Sequence, residues 1–211
     1  MKYELHNKYD VFIKLKKMKV IFLDFDGVIT SPDTKWKIDM CKINIINNIC
    51  DKTDAKIVVS STWRMGCRGN VSAFHERLKQ YFIKHNYLDN FKDTFDKFIN
   101  NIVGMTECID GLRGNEIKSY MNEHPEVENY VIIDDDSDMC DYQLFNFVQT
   151  DTCDGITERD AKLCVDIFNG IKILNPIRMN YELRFRWMLM CKYPEIENNI
   201  KELLENYDSK F

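Results

Sequence analysis

Three short apolar runs in this chain stop abruptly at hydroxyls or carboxylates, and that pattern narrows the fold more than any other feature. Val20–Leu23 runs into Asp24 and Asp26, Ile57–Val59 into Ser60 and Ser61, and Tyr130–Ile133 into Asp134, Asp135 and Asp136. A run with no polar alternation suits a strand covered on both faces, as in a parallel sheet. In an open parallel sheet the carboxyl ends of neighbouring strands border one crevice, and ligands bind there. The three polar ends are therefore expected to converge, although more than a hundred residues separate the first from the last.

The segments between the runs carry helical spacing. Ile38, Cys41, Ile45 and Ile49 mark one helix over 38–51, and Phe74, Leu78, Tyr81 and Phe82 mark another over 72–86. Ile117, Tyr120 and Met121 fall on one side of a short helix over 114–123. Thr157, with Asp160 three residues later, resembles a capping box opening a helix that runs to Phe168. Phe145–Val148 reads as a fourth strand, and 88–103 as a helix or irregular insert. Strands alternating with helices predict a doubly wound α/β fold, a Rossmann-like parallel sheet flanked by helices. The expected organisation is a core over 1–175 with a small insert at about 88–110 and no large cap. A helical hairpin over 176–211 is expected to pack on it, its apolar positions being Leu183, Trp187 and Met190, then Ile196, Ile200, Leu203, Leu204 and Tyr207.

Charge and cysteine usage exclude several classes. The formal net charge is -5, which disfavours tight binding to bulk duplex nucleic acid but leaves room for a local basic patch or a phosphorylated end. The eight cysteines form no Cys-x-x-Cys pair and no zinc-finger spacing, so reduced, largely buried thiols are expected. No apolar run approaches the roughly 20 residues that span a bilayer, and Met1–Lys19 lacks a signal-peptide core. The expectation is a soluble, cytoplasmic protein that does not engage membranes. Oligomeric state is not legible.

Three or four carboxylates gathered in one crevice repel one another unless a cation is present. An all-oxygen donor set favours Mg²⁺, which retains waters and binds a few carboxylates together with a substrate phosphate. The residues then become familiar. Phe22–Val28, with its Asp24-Phe-Asp26-Gly27 core, resembles the first motif of the haloacid dehalogenase (HAD) superfamily. Ser60 after Ile57–Val59 resembles the second, Arg113 near a helix start the third, and Ile133–Asp136 the fourth. Ser60-Ser-Thr-Trp-Arg64, Arg113-Gly-Asn-Glu-Ile117 and Gly155-Ile-Thr-Glu-Arg-Asp160 are most similar to the HAD domains of multifunctional RNA-repair proteins.

The resemblance implies a Mg²⁺-dependent phosphohydrolase working through an aspartyl-phosphate. Asp24 would be nucleophile and Asp26 general acid and base. The metal would take an Asp24 oxygen, the Asp26 backbone carbonyl and one acid of the 134–136 run, Asp135 by resemblance and Asp134 as the alternative. Ser60, or Ser61 in its place, would bind a phosphate oxygen. Arg113, with Lys118 as rival, would neutralise transition-state charge, and Arg64 would add a bidentate phosphate contact. Trp63 reads as packing rather than a base-stacking platform, and His6, His75, His85 and His124 as structural or exposed. The substrate class is a phosphomonoester, with a nucleotide or nucleic-acid end favoured by the subgroup. The alternatives are a small-metabolite phosphatase using 88–110 as a lid, and a non-catalytic module binding phosphate or RNA.

Overall fold

The computed structural model describes residues 17–109 and 111–171. Five parallel strands form one open sheet: β1 (Met18–Leu23), β2 (Lys56–Val59), β3 (Ile102–Met105), β4 (Val127–Asp134) and β5 (Phe147–Gln149), in the order β3-β2-β1-β4-β5. Five α-helices connect them: α1 (Met40–Thr53), α2 (Val71–Lys84), α3 (Leu88–Asn101), α4 (Arg113–Glu123) and α5 (Glu158–Phe168). β1 is central, paired to β2 on one side and β4 on the other. Its residues Val20–Leu23 are wholly buried, which accounts for the unbroken apolar run.

Alternate residues of β1, β2, β4 and β5 serve two separate cores. Leu23, Val59, Ile133 and Val148 pack with Ile43 of α1, Phe74 of α2, Phe98 of α3 and Cys164 of α5. Val20, Phe22, Val58 and Ile132 pack on the opposite face with Ile117 and Tyr120 of α4 and with Leu144. Helices on both faces confirm the doubly wound reading. The capping box of α5 forms as expected, with the Asp160 carboxylate accepting from the Thr157 amide at 2.9 Å. No helix among the described residues is long and apolar enough to cross a membrane.

Two segments refine the expectation. Of the two readings of 88–103 the structure takes the helix: α3 buries Phe95, Phe98 and Ile99, packs along α1, and passes directly into β3 at Ile102. β3 escapes sequence reading because it is a four-residue edge strand with an exposed Val103 and a glycine at 104. The fourth apolar run begins late, since Asp141–Asn146 forms a 3₁₀ turn and β5 starts only at Phe147. The expected hairpin over 176–211 lies outside the described residues.

Only a single 3₁₀ turn, Pro32–Thr34, interrupts the loop from β1 to α1, and the β3–α4 connection is short. No cap domain stands over the strand ends among the described residues. Because α3 belongs to the core, Phe98→Ala is expected to destabilise the protein by about 3–5 kcal/mol. Urea denaturation tests this; a loss below about 1 kcal/mol would mean that α3 is a detachable lid.

Candidate active site at the strand ends

The parallel register carries one step beyond the strands. Leu23 lies opposite Val59 and Ile133, Val59 opposite Met105, and Ile133 opposite Val148. Backbone bonds of 3.0 Å continue this ladder, from the Ser60 amide to Leu23 O, the Thr106 amide to Val59 O and the Asp24 amide to Ile133 O. The next row across the sheet is therefore Thr106, Ser60, Asp24, Asp134 and Gln149. Side chains alternate along a strand, so this row projects to the face that α4 covers. Its polar atoms are buried, yet Ser60 Oγ, Thr106 Oγ1, Asp134 Oδ2 and Gln149 Oε1 have no hydrogen-bond partner among the described residues. Buried polar groups are rarely left unpaired unless a ligand or ion completes them.

Carboxylates dominate the middle of the row. Asp24, Asp134 and Asp135 each bring an oxygen within 4.8 Å of the others, a compact all-oxygen donor set suited to a hard divalent cation. Burial raises the Asp24 pKa from 3.8 to about 6, with Arg113 and a hydrogen bond from Ser61 holding it back and Asp135 and Asp26 adding to the rise. Asp134 is pushed well above the usual carboxylate range, first by burial and then by the charge on Asp24, against the pull of Arg113. Asp135 is raised by burial, while Thr152 donates to its Oδ2 at 2.7 Å and opposes the shift.

Close approach depends on Gly27. Its φ of +69° is a left-handed turn, and a β-carbon there would fall within 2.3 Å of the Asp135 carboxyl carbon. Asp135 can thus lie against the first loop, where Thr150 Oγ1 donates to Gly27 O at 2.8 Å and Gln149 Nε2 to Asp135 O at 2.9 Å.

Arg113, the first residue of α4, takes the basic position. Its guanidinium lies 3.4 Å from Asp24 Oδ1 and 3.8 Å from Asp134 Oδ2. Burial works against its charge, but Asp134, Asp24, Glu116 and Asp138 outweigh that and raise its pKa. Lys118, the other candidate, stands further along the same helix. The Arg-Gly-x-Glu-Ile pattern has a role at each conspicuous position. Gly114 lets the helix start pack so closely on the loop after β4 that a β-carbon would meet Cys140 N at 2.4 Å. Asp138 accepts from the Arg113 amide at 2.9 Å, Glu116 pairs with Arg64, and Ile117 enters the core.

Arg64, expected to add a bidentate phosphate contact, bonds protein groups instead. It is buried, and all five of its N–H donors are engaged. Nε bonds Thr106 O at 2.9 Å, Nη1 bonds Ser61 O at 2.6 Å and also Ser60 O, and Nη2 bonds Glu107 O at 3.1 Å and Glu116 Oε2 at 2.5 Å. It pins the loops after β2 and β3 to α4. Ser60 and Ser61 also part company. Ser60 Oγ is unpartnered, whereas Ser61 Oγ accepts from the Trp63 amide and donates to Asp24.

Trp63 is the residue whose role the sequence concealed. Its indole N–H is shared between both Asp26 oxygens at 3.2 and 3.1 Å, and Thr30 Oγ1 donates to Asp26 Oδ1 at 3.0 Å. Packing against Phe25 and Tyr81 holds the indole in place. Its position two residues after Ser61 was the available signal, but a tryptophan reads first as core.

Because the pKa of Asp24 is raised, its contribution to metal-free stability is fully present below about pH 3.8 and is lost as pH rises through about 6. At pH 7.5 with chelator, Asp24→Asn should therefore melt higher than wild type, by about 2–6 °C, and the gap should close towards pH 4. A variant melting below wild type at pH 7.5 would overturn this electrostatic account.

Residues 20–161 match a family model described as "HAD domain in Swiss Army Knife RNA repair proteins". No curated protein and no solved structure gave a significant match.

Proposed function

The chain belongs to the family of HAD domains found in Swiss Army Knife RNA repair proteins, and from that premise we propose that it is a Mg²⁺-dependent phosphohydrolase acting on a phosphomonoester at a nucleic-acid end. The observation that carries this reading is the convergence of Asp24, Asp134 and Asp135 at adjacent strand ends, with Arg113 beside them. Family membership supports hydrolysis of phosphate in general; the metal, the intermediate and the substrate are inferences from the residues.

Three carboxylates against one guanidinium leave excess negative charge, and their donors are all oxygen, so the residues fit Mg²⁺. Asp24, Asp135 and Asp134 would hold it, and when bound it would offset the charge of the incoming phosphate. In the first step an Asp24 oxygen attacks phosphorus as the bond to the leaving oxygen breaks, and Asp26 gives that oxygen its proton. In the second, Asp26 takes a proton from water as the water oxygen attacks phosphorus, and Asp24 departs as a free carboxylate. Trp63 and Thr30 hold the Asp26 carboxylate in one rotamer for both transfers. Ser60 Oγ, buried and unpartnered, is the serine available to a phosphate oxygen, while Ser61 orients Asp24. Arg113 stabilises the charge that builds on the phosphoryl oxygens.

The absence of a cap among the described residues favours a bulky substrate. It disfavours the small-metabolite reading, since α3 belongs to the core and forms no lid. Inorganic phosphate release should appear from an aryl phosphate and from 3′- or 5′-phosphorylated RNA, and EDTA should stop it. Asp24→Asn should lower turnover at least about a thousandfold, since the nucleophile is removed. Unchanged release from that variant would sink the mechanism. Trp63→Phe replaces the indole by a smaller aromatic ring with no N–H, so kcat should fall about tenfold with little change in KM. An equal kcat would show that Asp26 is positioned without it.

A further inference from the structure

We infer that the surface formed by Lys35, Trp36 and Lys37 beside Lys84 and His85 carries the unpaired RNA strand that ends in the scissile phosphate. This rests on the reading of Asp26 as general acid, because that role puts the leaving group, and hence the rest of the strand, on the Asp26 side of the crevice.

From Asp26 outward the rings form a continuous path. The Trp63 indole bonds the carboxylate, the Tyr81 ring stands edge-on to Trp63 at 5.3 Å, and His85 lies 4.4 Å from Tyr81. The Tyr81 hydroxyl accepts from the Ile38 amide at 3.2 Å, which ties the end of α2 to the turn that carries residues 35–37. Lys37 and Lys84 both bear on His85, whose basicity is lowered first by burial and then by these two charges. Two lysines from separate elements thus flank the outer end of the ring path.

Lys35 and Trp36 hold left-handed φ values of 52° and 59°, and this turn leaves the Trp36 indole 48% exposed. Such a conformation is uncommon for a bulky residue, and an indole that fills no core has its face available for stacking. None of Lys35, Lys37 and Lys84 has a carboxylate within ion-pair distance among the described residues. The acids nearest in sequence do not cancel them: Asp33 is a lone exposed carboxylate, and Asp39 accepts from the Cys41 amide at 2.8 Å to cap α1. Exposed aromatic faces interleaved with unpaired cations suit a single strand, whose bases stack and whose phosphates need neutralising. A duplex offers no free base faces, and the overall charge of -5 disfavours it.

The test separates binding from catalysis. Asp24→Asn protein, which cannot turn over, is titrated into a fluorescent octamer of single-stranded RNA phosphorylated at its 3′ or 5′ end. Changing Lys35, Lys37 and Lys84 together to Ala should weaken binding at least tenfold and flatten the salt dependence by about 2, at roughly 0.7 per lost contact. Trp36→Ala should weaken binding about tenfold at an unchanged salt slope. In the otherwise wild-type protein the same changes should leave aryl phosphate hydrolysis and the melting temperature unaltered. RNA affinity within twofold of the parent in both variants would overturn the surface. If wild type fails to hydrolyse aryl phosphate while RNA binding still follows the lysines and Trp36, the catalytic reading falls and the surface stands.

Discussion

Two carboxylates, Asp24 and Asp134, are buried at the ends of neighbouring strands, and the architecture of that end of the sheet follows from what this costs. A buried carboxylate resists ionisation, and a second one nearby resists it further. Arg113 compensates only in part, because one guanidinium at 3.4 and 3.8 Å is spread over both. Its placement is correspondingly well defined. Asp138 caps the first turn of α4, and Gly114 lets that turn press against the loop after β4. The remaining negative charge fits the proposed divalent cation, so the same burial that lowers metal-free stability would favour a bound metal.

A second guanidinium, on Arg64, solves a different problem. Loops that follow parallel strands present carbonyl oxygens with no strand to pair with, and at this site such loops must be rigid. Arg64 gathers carbonyls of Ser60, Ser61, Thr106 and Glu107 and closes the set with Glu116. Five donors in a fixed planar fork do what the rotatable ammonium of lysine does less well. Removing one partner of a buried pair such as Arg64–Glu116 strands the other charge in the interior. The two arginines therefore divide the work: one lies against the Asp24 and Asp134 carboxylates, and the other holds the scaffold that presents Ser60 and Ser61.

The legibility of the sequence follows from where each signal is stored. β1, β2 and β4 are covered on both faces, so their side chains alone declare them, and the polar residue that ends each one declares the crevice. β3 declares nothing, because an edge strand with a glycine and an exposed valine has no apolar run. It also begins where α3 ends, so the helical periodicity of Phe91, Phe95, Phe98 and Ile102 reads straight through the boundary. Arg64 shows the limit for side chains. Its neighbourhood in sequence is the second motif, which suggests phosphate, but its partners Thr106, Glu107 and Glu116 lie more than forty residues away. The same holds for Trp63, whose bond to Asp26 spans two strand ends. The candidate site residues are marked by strand-end position, whereas residues that support them are marked only by contacts the fold creates.

That distinction bears on how the site selects substrates. The proposed phosphate subsite consists of short side chains at strand ends, with the buried Arg64–Glu116 pair behind them. Among the described residues an approach runs over the loop from β1 to α1 and the end of α2, where Trp63 and Tyr81 lead outward from Asp26. A protein with net charge -5 that concentrates Lys35, Lys37 and Lys84 along this approach places its attractive field where a polyanion would enter. The chemistry proposed for the crevice needs only a terminal phosphate, and so would treat any phosphomonoester alike. On that proposal discrimination comes from the surface beyond Asp26, because a general acid there puts the leaving group on that side.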